Sequence, residues 1–330
     1  MCAYTVGVAR KDSYGSGGMT VSRWQVFEQD FPFVVQSFRK VRKGVYRVKT
    51  TTYGTLCVKL LDGPTEHVYH VVDILLHLRD RGFAKSPRLF SSRRGEWVFR
   101  NHQKYYLVTP WISGRQPNFQ RFVEWRDAIQ TLAQFHQSAE QFQSPCIPAE
   151  KIRYHDIFQK IESAEKILCK LEAKPSIDFS LDGLRSILLK AVEQVEHPEI
   201  LTAIEQEQQM GAFIHGDYNY PNLVFQTTGS LQLIDFDNTS MQNRMIDLAH
   251  LLHRSATWDA QRMIEAIKIY QQIRPISNYD RRFLFTLLHI PYPLVRWYFM
   301  QKRHVSHRPA PLLSSQTAVY YSEKLEKELL

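Results

Sequence analysis

The chain has 330 residues, with 42 Lys and Arg against 33 Asp and Glu, giving a formal net charge of +9 and a pI near 9.3. With 44% hydrophobic and 23% charged residues it has an ordinary globular composition, long enough for two lobes with a core in each. The positive excess suits an anionic partner such as a nucleotide or a phosphorylated substrate. No helix carries a dense Lys/Arg stripe with interleaved aromatics, so nucleic acid is not expected as a partner.

Residues 1–20 are rich in Gly and Ser, lack the continuous apolar core of a signal peptide, and read as a loose arm. From about Phe33 to Leu61 β-branched and aromatic residues alternate with charges: Val45, Tyr46 and Val48, then Leu56, Val58 and Leu60, with a turn at Thr52–Gly54 between two strands. Val68, Val71, Val72, Leu75 and Leu76 fall at helical spacing, and Gly82 is a plausible stop. Arg88–Ser91, Trp97–Arg100 and Tyr105–Val108 read as further strands. These elements predict a lobe over residues 21–108, mainly antiparallel sheet with one helix.

Residues 109–115, reading TPWISGR, form the expected hinge. Beyond it, over 116–330, Phe122–Phe135, Ile152–Leu171 and Leu184–Val195 carry apolar residues three and four apart, the pattern of buried helix faces. The most apolar stretch, Phe283–Phe299, contains His289, Pro291, Pro293 and Arg296, so it reads as two short core helices with a proline break and not as a membrane span. Cys2, Cys57, Cys146 and Cys169 are far apart, with no CxxC, as expected of reduced thiols in a cytoplasmic protein.

The densest chemistry lies in Phe213–Asp237, FIHGDYNYPNLVFQTTGSLQLIDFD. Leu223–Phe225 and Leu231–Ile234 are apolar runs on either side of a Thr-Thr-Gly-Ser turn, a small hairpin. Asp217 and Asn222 then precede one strand, and Asp235 ends the other. Phosphoryl transfer needs residues of these types in this order: a carboxylate to orient and deprotonate a hydroxyl, then an Asn and a second carboxylate to hold Mg²⁺ on nucleotide phosphates. A bare His-Gly-Asp turn is commonplace; the full set at this spacing is not.

His215-Gly-Asp217 followed by Asn222 and Ile234-Asp235-Phe-Asp resembles the catalytic core of the aminoglycoside phosphotransferase and choline kinase group, a branch of the protein-kinase-like fold. The resemblance implies an α+β, bilobal fold, ATP and Mg²⁺ as cofactors, and a small hydroxylated substrate as acceptor. On it, Asp217 is the base, Asn222 and Asp235 are the metal ligands, and Asp247 braces the catalytic loop, as His215 does. Lys59, on a strand between apolar neighbours, matches the strand Lys that contacts the α/β-phosphates, the alternative being a Lys snorkelling from a sheet edge. Strand alternation puts Cys57 on the face of Lys59; the resemblance has Cys57 and Val45 roofing the adenine, with backbone groups around Thr109 and Trp111 reading the base edge. Glu66 and Asp73 both stand as carboxylate partners of Lys59, Asp73 being preferred. The basic cluster from Arg39 to Gly44 replaces a Gly-rich loop, either meeting phosphates or lying on a solvated hairpin edge.

The run from Leu288 to Tyr298 looks like the C-terminal helices of the CotS-type spore-coat kinase-like branch. That implies spore-coat proteins as partners and a spore-coat location, or a coat protein with little turnover. A protein kinase is disfavoured, because Asp247 follows Asp235 too closely for an ordinary activation segment and no Ala-Pro-Glu follows.

Overall fold

A computed structural model describes residues 27–101, 103–145, 147–173, 180–303 and 309–330; the expected arm at 1–20, with Cys2, and Cys146 lie outside them. The chain forms two compact units. One takes residues 1–117, 144–149 and 220–237; the other takes 118–143, 150–219 and 238–330. The catalytic hairpin, expected within a continuous 116–330 lobe, therefore belongs to the sheet-bearing unit.

In the first unit five antiparallel strands, β1 (Val35–Arg42), β2 (Val45–Thr50), β3 (Thr55–Leu61), β4 (Phe99–Asn101) and β5 (Lys104–Pro110), lie in the order β1-β2-β3-β5-β4. Alternation gives the sheet two faces of different character. Tyr46, Val48, Leu56, Val58, Tyr106 and Val108 join Phe27, Phe31, Phe33 and Phe99 in one hydrophobic core. Cys57 and Lys59 point the other way, opposite Thr109 and Leu107 in the β3–β5 register. Helix α1 (Thr65–Asp80) sends Val71 and Leu75 to the second face, where they line the same cavity as Lys59.

The strand expected at Arg88–Ser91 is absent; Phe90 makes one ladder-like bond, its N–H to the Val108 carbonyl, and packs against the core from an irregular segment. The one expected at Trp97–Arg100 begins only at Phe99.

The hairpin of β6 (Leu223–Phe225) and β7 (Leu231–Leu233) is tied to the segment after β5. Arg115 and Phe225 exchange both backbone hydrogen bonds, and Leu233 N–H reaches the Lys85 carbonyl. A Cβ at Gly114 would run into the Phe225 carbonyl, so this approach requires glycine.

The second unit is helical: α2 (Phe122–Ser138), α3 (Asp156–Glu172), α4 (Asp182–Val195), α5 (Pro198–Met210), α6 (Met245–Ser255), α7 (Ala260–Gln271), α8 (Asn278–His289), α9 (Tyr292–Lys302) and α10 (Ser315–Leu329). α8 is central, packing on α4, α5, α6 and α10 through buried Phe283, Leu284, Phe285, Leu287 and Leu288. Pro291 breaks α8 from α9, as the sequence predicts. Among the described residues no helix is long and apolar enough to cross a membrane.

Candidate active site

Within the first unit, β3, β5, α1 and the residues after β7 enclose a cavity of about 70 Å³. Its apolar wall includes Val45, Val71, Leu75, Leu107 and Ile234; its polar end is formed by Arg42, Lys59, Asp235 and Asp237. Val45, Cys57, Thr109 and Trp111 line it too. The Cys57 thiol is pushed up to about 11 by burial, which outweighs the opposing pull of Lys59 and a hydrogen bond with Thr109.

The charged end is an alternating quartet. Lys59 Nζ donates to Asp235 Oδ1 at 2.5 Å and to Asp237 Oδ1 at 2.7 Å, and Arg42 Nη2 donates to Asp235 Oδ2 at 3.0 Å. Burial opposes the Lys59 charge, but the Asp237 and Asp235 carboxylates outweigh it and hold the ammonium above its ordinary pKa. Asp235 adopts φ 71°, a left-handed conformation that costs a non-glycine residue and that Asp tolerates better than most. It turns the chain sharply as it leaves β7, so that Asp235 and Asp237 face the same ammonium.

Asn222 ends a short 3₁₀ turn before β6, buried, and its carbonyl accepts the Ile234 N–H at 2.9 Å. With Leu223 paired to Leu233, Asn222 and Asp235 come to the same end of the hairpin. Their oxygens are donors suited to a hard divalent cation. Among the described residues no group of three or more His, Cys, Asp or Glu could hold a metal unaided. A site built on Asp235 and Asn222 suits an ion that keeps water and phosphate ligands, as Mg²⁺ does.

One expectation needs correction. Lys59 takes its carboxylates from Asp235 and Asp237, not from α1. The helix face toward the cavity presents Val71 and Leu75; Asp73, two residues on from Val71, points elsewhere and accepts from Ser144 Oγ at 2.5 Å, while Glu66 is exposed. The Trp111 N–H is committed to the Thr55 carbonyl at 2.9 Å, extending the sheet, so this donor is not turned to the cavity. The Trp111 ring lies 5.2 Å from the Arg47 guanidinium.

The second unit carries Asp217 on a loop held from several sides. Asp247, fully buried at the start of α6, accepts the His215 N–H at 2.7 Å and the Gly216 N–H at 3.0 Å. Burial works against its charge, but the hydrogen bond from His136 and these N–H groups prevail, keeping the carboxyl below its ordinary pKa. Burial pulls His136 below its ordinary pKa, against the pull of Asp247; its Nε2 lies 3.4 Å from Asp247 Oδ2 and its Nδ1 lies 2.7 Å from the Tyr270 hydroxyl. His215 Nδ1 accepts the Asp217 N–H at 3.3 Å, the Tyr218 hydroxyl donates to the Ala128 carbonyl, and Asn219 donates to the Asp217 carboxylate. Gly216 sits at φ 75°, and a Cβ there would collide with the Asn238 carbonyl.

Arg42, Asn219 and the Lys59 contact of Asp237 were not singled out by the sequence. Asp237 carried a signal, as the second carboxylate of Ile-Asp-Phe-Asp; Arg42 was one of several basic residues near a turn, with nothing to mark it.

Residues 37–282 match the model of the phosphotransferase enzyme family, and the chain belongs to that family. No protein of curated function matches it. Among solved structures, it is similar to an aminoglycoside phosphotransferase from Alicyclobacillus acidocaldarius, with 20% identity, 97% of each chain covered and a TM-score of 0.74. Spectinomycin phosphotransferase in complex with ADP and spectinomycin shares 14% identity, over 92% of this chain and 96% of that one, with a TM-score of 0.56. A microcompartment-associated aminopropanol kinase shares 12%, over 94% and 95%, with a TM-score of 0.55. At these identities the likeness speaks for the α+β phosphotransferase fold.

Proposed function

We propose that the protein is an ATP-dependent phosphotransferase acting on a hydroxyl of a small molecule. The observation that carries this reading is the convergence of Lys59, Asp235 and Asp237 at the polar end of an otherwise apolar cavity. ATP supplies the γ-phosphoryl group, and Mg²⁺ neutralises charge on its oxygens. In this reading Lys59 contacts the phosphates, Asp235 and Asn222 hold the metal, and Val45 and Cys57 pack on the base. Asp217 orients the acceptor hydroxyl and takes its proton. The hydrogen bonds on His215, Gly216 and Asp217 fix the position of that carboxylate, which is what general-base catalysis requires.

A second reading, a coat or scaffold protein with little turnover, draws on one observation: Arg42 occupies an Asp235 oxygen that a metal would need. The spore-coat partners and location belong to it, and they rest on the run from Leu288 to Tyr298 alone. One experiment separates the two. The purified chain is given Mg·ATP and a panel of sugars, amino alcohols and hydroxy acids, and ADP release and acceptor phosphorylation are followed by phosphorus NMR. Acceptor-dependent phosphate esters support transfer; tight nucleotide binding without any ester across the panel supports the scaffold.

A further inference from the structure

A second cavity, of about 250 Å³, lies wholly within the helical unit. α6 forms one wall with Ile246, Ala249, His250 and His253, two turns of the helix whose Asp247 holds the Asp217 loop. α3 contributes Asp156 and Lys160, and the α8–α9 corner contributes Leu287, Tyr292 and Phe299.

The charges in this cavity are unequally committed. Asp156 is ion-paired with Arg153 at 2.5 Å. Lys160 is half-buried on the next turn of α3, and among the described residues it has no hydrogen-bond or ion-pair partner. Arg153, Asp156 and Lys160 together leave one positive charge. His253 is 2% exposed; its Nε2–H faces the Leu287 carbonyl at 3.3 Å, which leaves Nδ1 as an acceptor, and that atom is buried without a partner. The His250 ring stacks on Tyr292 with centroids 4.6 Å apart, giving the cavity a flat aromatic wall.

We infer that this cavity receives the acceptor, and that the acceptor is a hydroxylated monocarboxylate, its carboxylate held by Lys160 and its apolar body lying on Tyr292 and Phe299. The inference rests on the phosphotransferase reading for the word acceptor, and on the cavity alone for the chemistry. A single uncommitted cation matches a monoanion; the Asp156 carboxylate beside it would repel a phosphate dianion. A cationic amino alcohol would meet Lys160 with like charge, because Asp156, the one carboxylate lining the cavity among the described residues, is already paired. Burial and the Arg153 charge push the Lys160 ammonium below its ordinary pKa, opposed by Asp156, so an anionic partner relieves an unfavourable position.

The test is direct binding by calorimetry, without nucleotide, of three compounds that share one skeleton: para-hydroxymethylbenzoate, para-hydroxymethylbenzylamine and para-benzenedimethanol. The benzoate should bind about tenfold or more tightly than the other two, the range of one charge-assisted hydrogen bond. Lys160→Gln should abolish that preference and Lys160→Arg should keep it, with urea unfolding showing both variants folded. Equal or tighter binding of the benzylamine, a preference that survives Lys160→Gln, or no binding of any of the three would overturn the inference. Because no turnover is read, failure of the phosphotransferase reading would show separately, as absence of acceptor-dependent ADP release from Mg·ATP.

Discussion

Asp247→Asn is the sharpest perturbation of the catalytic loop, because it changes one atom in a fully buried site. The wild-type carboxylate offers Oδ2 to the His215 N–H and the His136 ring, and Oδ1 to the Gly216 N–H. Asparagine keeps one acceptor oxygen. If it serves His215 and His136, the amide nitrogen faces the Gly216 N–H, donor against donor. A hydrogen bond to an ionised group contributes about 1.5–3 kcal/mol, and a buried donor left unsatisfied costs about 1–3 kcal/mol. The substitution should therefore cost about 3–5 kcal/mol, a large part of the ~5–15 kcal/mol that usually holds a domain folded. In urea, with a slope of about 2–3 kcal/mol per molar, the midpoint of the helical unit should fall by roughly 1–2 M. Turnover should fall about 100-fold or more as Asp217 loses its position. Since burial is outweighed and the folded pKa lies below its ordinary 3.8, the Asp247 contribution is present above about pH 4 and lost as pH falls through the folded value. The gap between wild type and variant should narrow in that acid range. A midpoint shift under about 0.3 M with unchanged turnover would refute the bracing role.

Asp217→Asn should reduce transfer roughly 10²–10⁴-fold while nucleotide affinity, read by calorimetry, stays near wild type; wild-type turnover would remove Asp217 from the base role. Asp235→Ala should abolish the dependence of nucleotide affinity on Mg²⁺, and equal Mg·ATP affinity in the two proteins would contradict the metal assignment. With the Cys57 thiol near 11, maleimide labelling at that position should rise about tenfold per pH unit from neutrality and slow as ATP saturates. A rate indifferent to nucleotide, in protein shown to bind it, would remove Cys57 from the base pocket. Burial lowers both His253 and His289 to about 4, so the unfolded chain takes up protons from about pH 6.5 downward while the folded chain does not. Stability of the helical unit should therefore fall with pH between about 6 and 4, by up to roughly 3 kcal/mol per unit from these two rings; a flat urea midpoint across that window would contradict it.

The hairpin, the proline break at Pro291 and the two-faced β3 strand were legible because each is written in local periodicity. Cys57 and Lys59 share a face for the same reason that Leu56 and Val58 share the other. The partner of Lys59 was not legible. A helix pattern fixes which residues lie together on a face but not the rotation of the helix about its axis, and here that rotation turns Val71 and Leu75, not Asp73, toward the sheet. Arg153, Lys160 and His253 are separated by up to a hundred residues and meet only through helix packing, so no window of sequence could have assembled them.

The quartet of Arg42, Lys59, Asp235 and Asp237 carries two positive and two negative charges, which cancel. A bare divalent cation approaching the carboxylates finds their field already cancelled by two neighbouring cations, and gains little. A cation complexed to polyphosphate would be in a different position: the phosphate oxygens would offer Arg42 and Lys59 replacement partners, freeing the Asp235 and Asp237 carboxylates to hold the metal. On the phosphotransferase reading, loading would be an exchange of ion pairs, and metal and nucleotide would enter together. Arg42 is the more exposed of the two cations, at 34% against 18% for Lys59, so its pair with Asp235 is the one that dissolved ions reach more readily. Potassium chloride, by screening that pair, should speed entry before it weakens affinity.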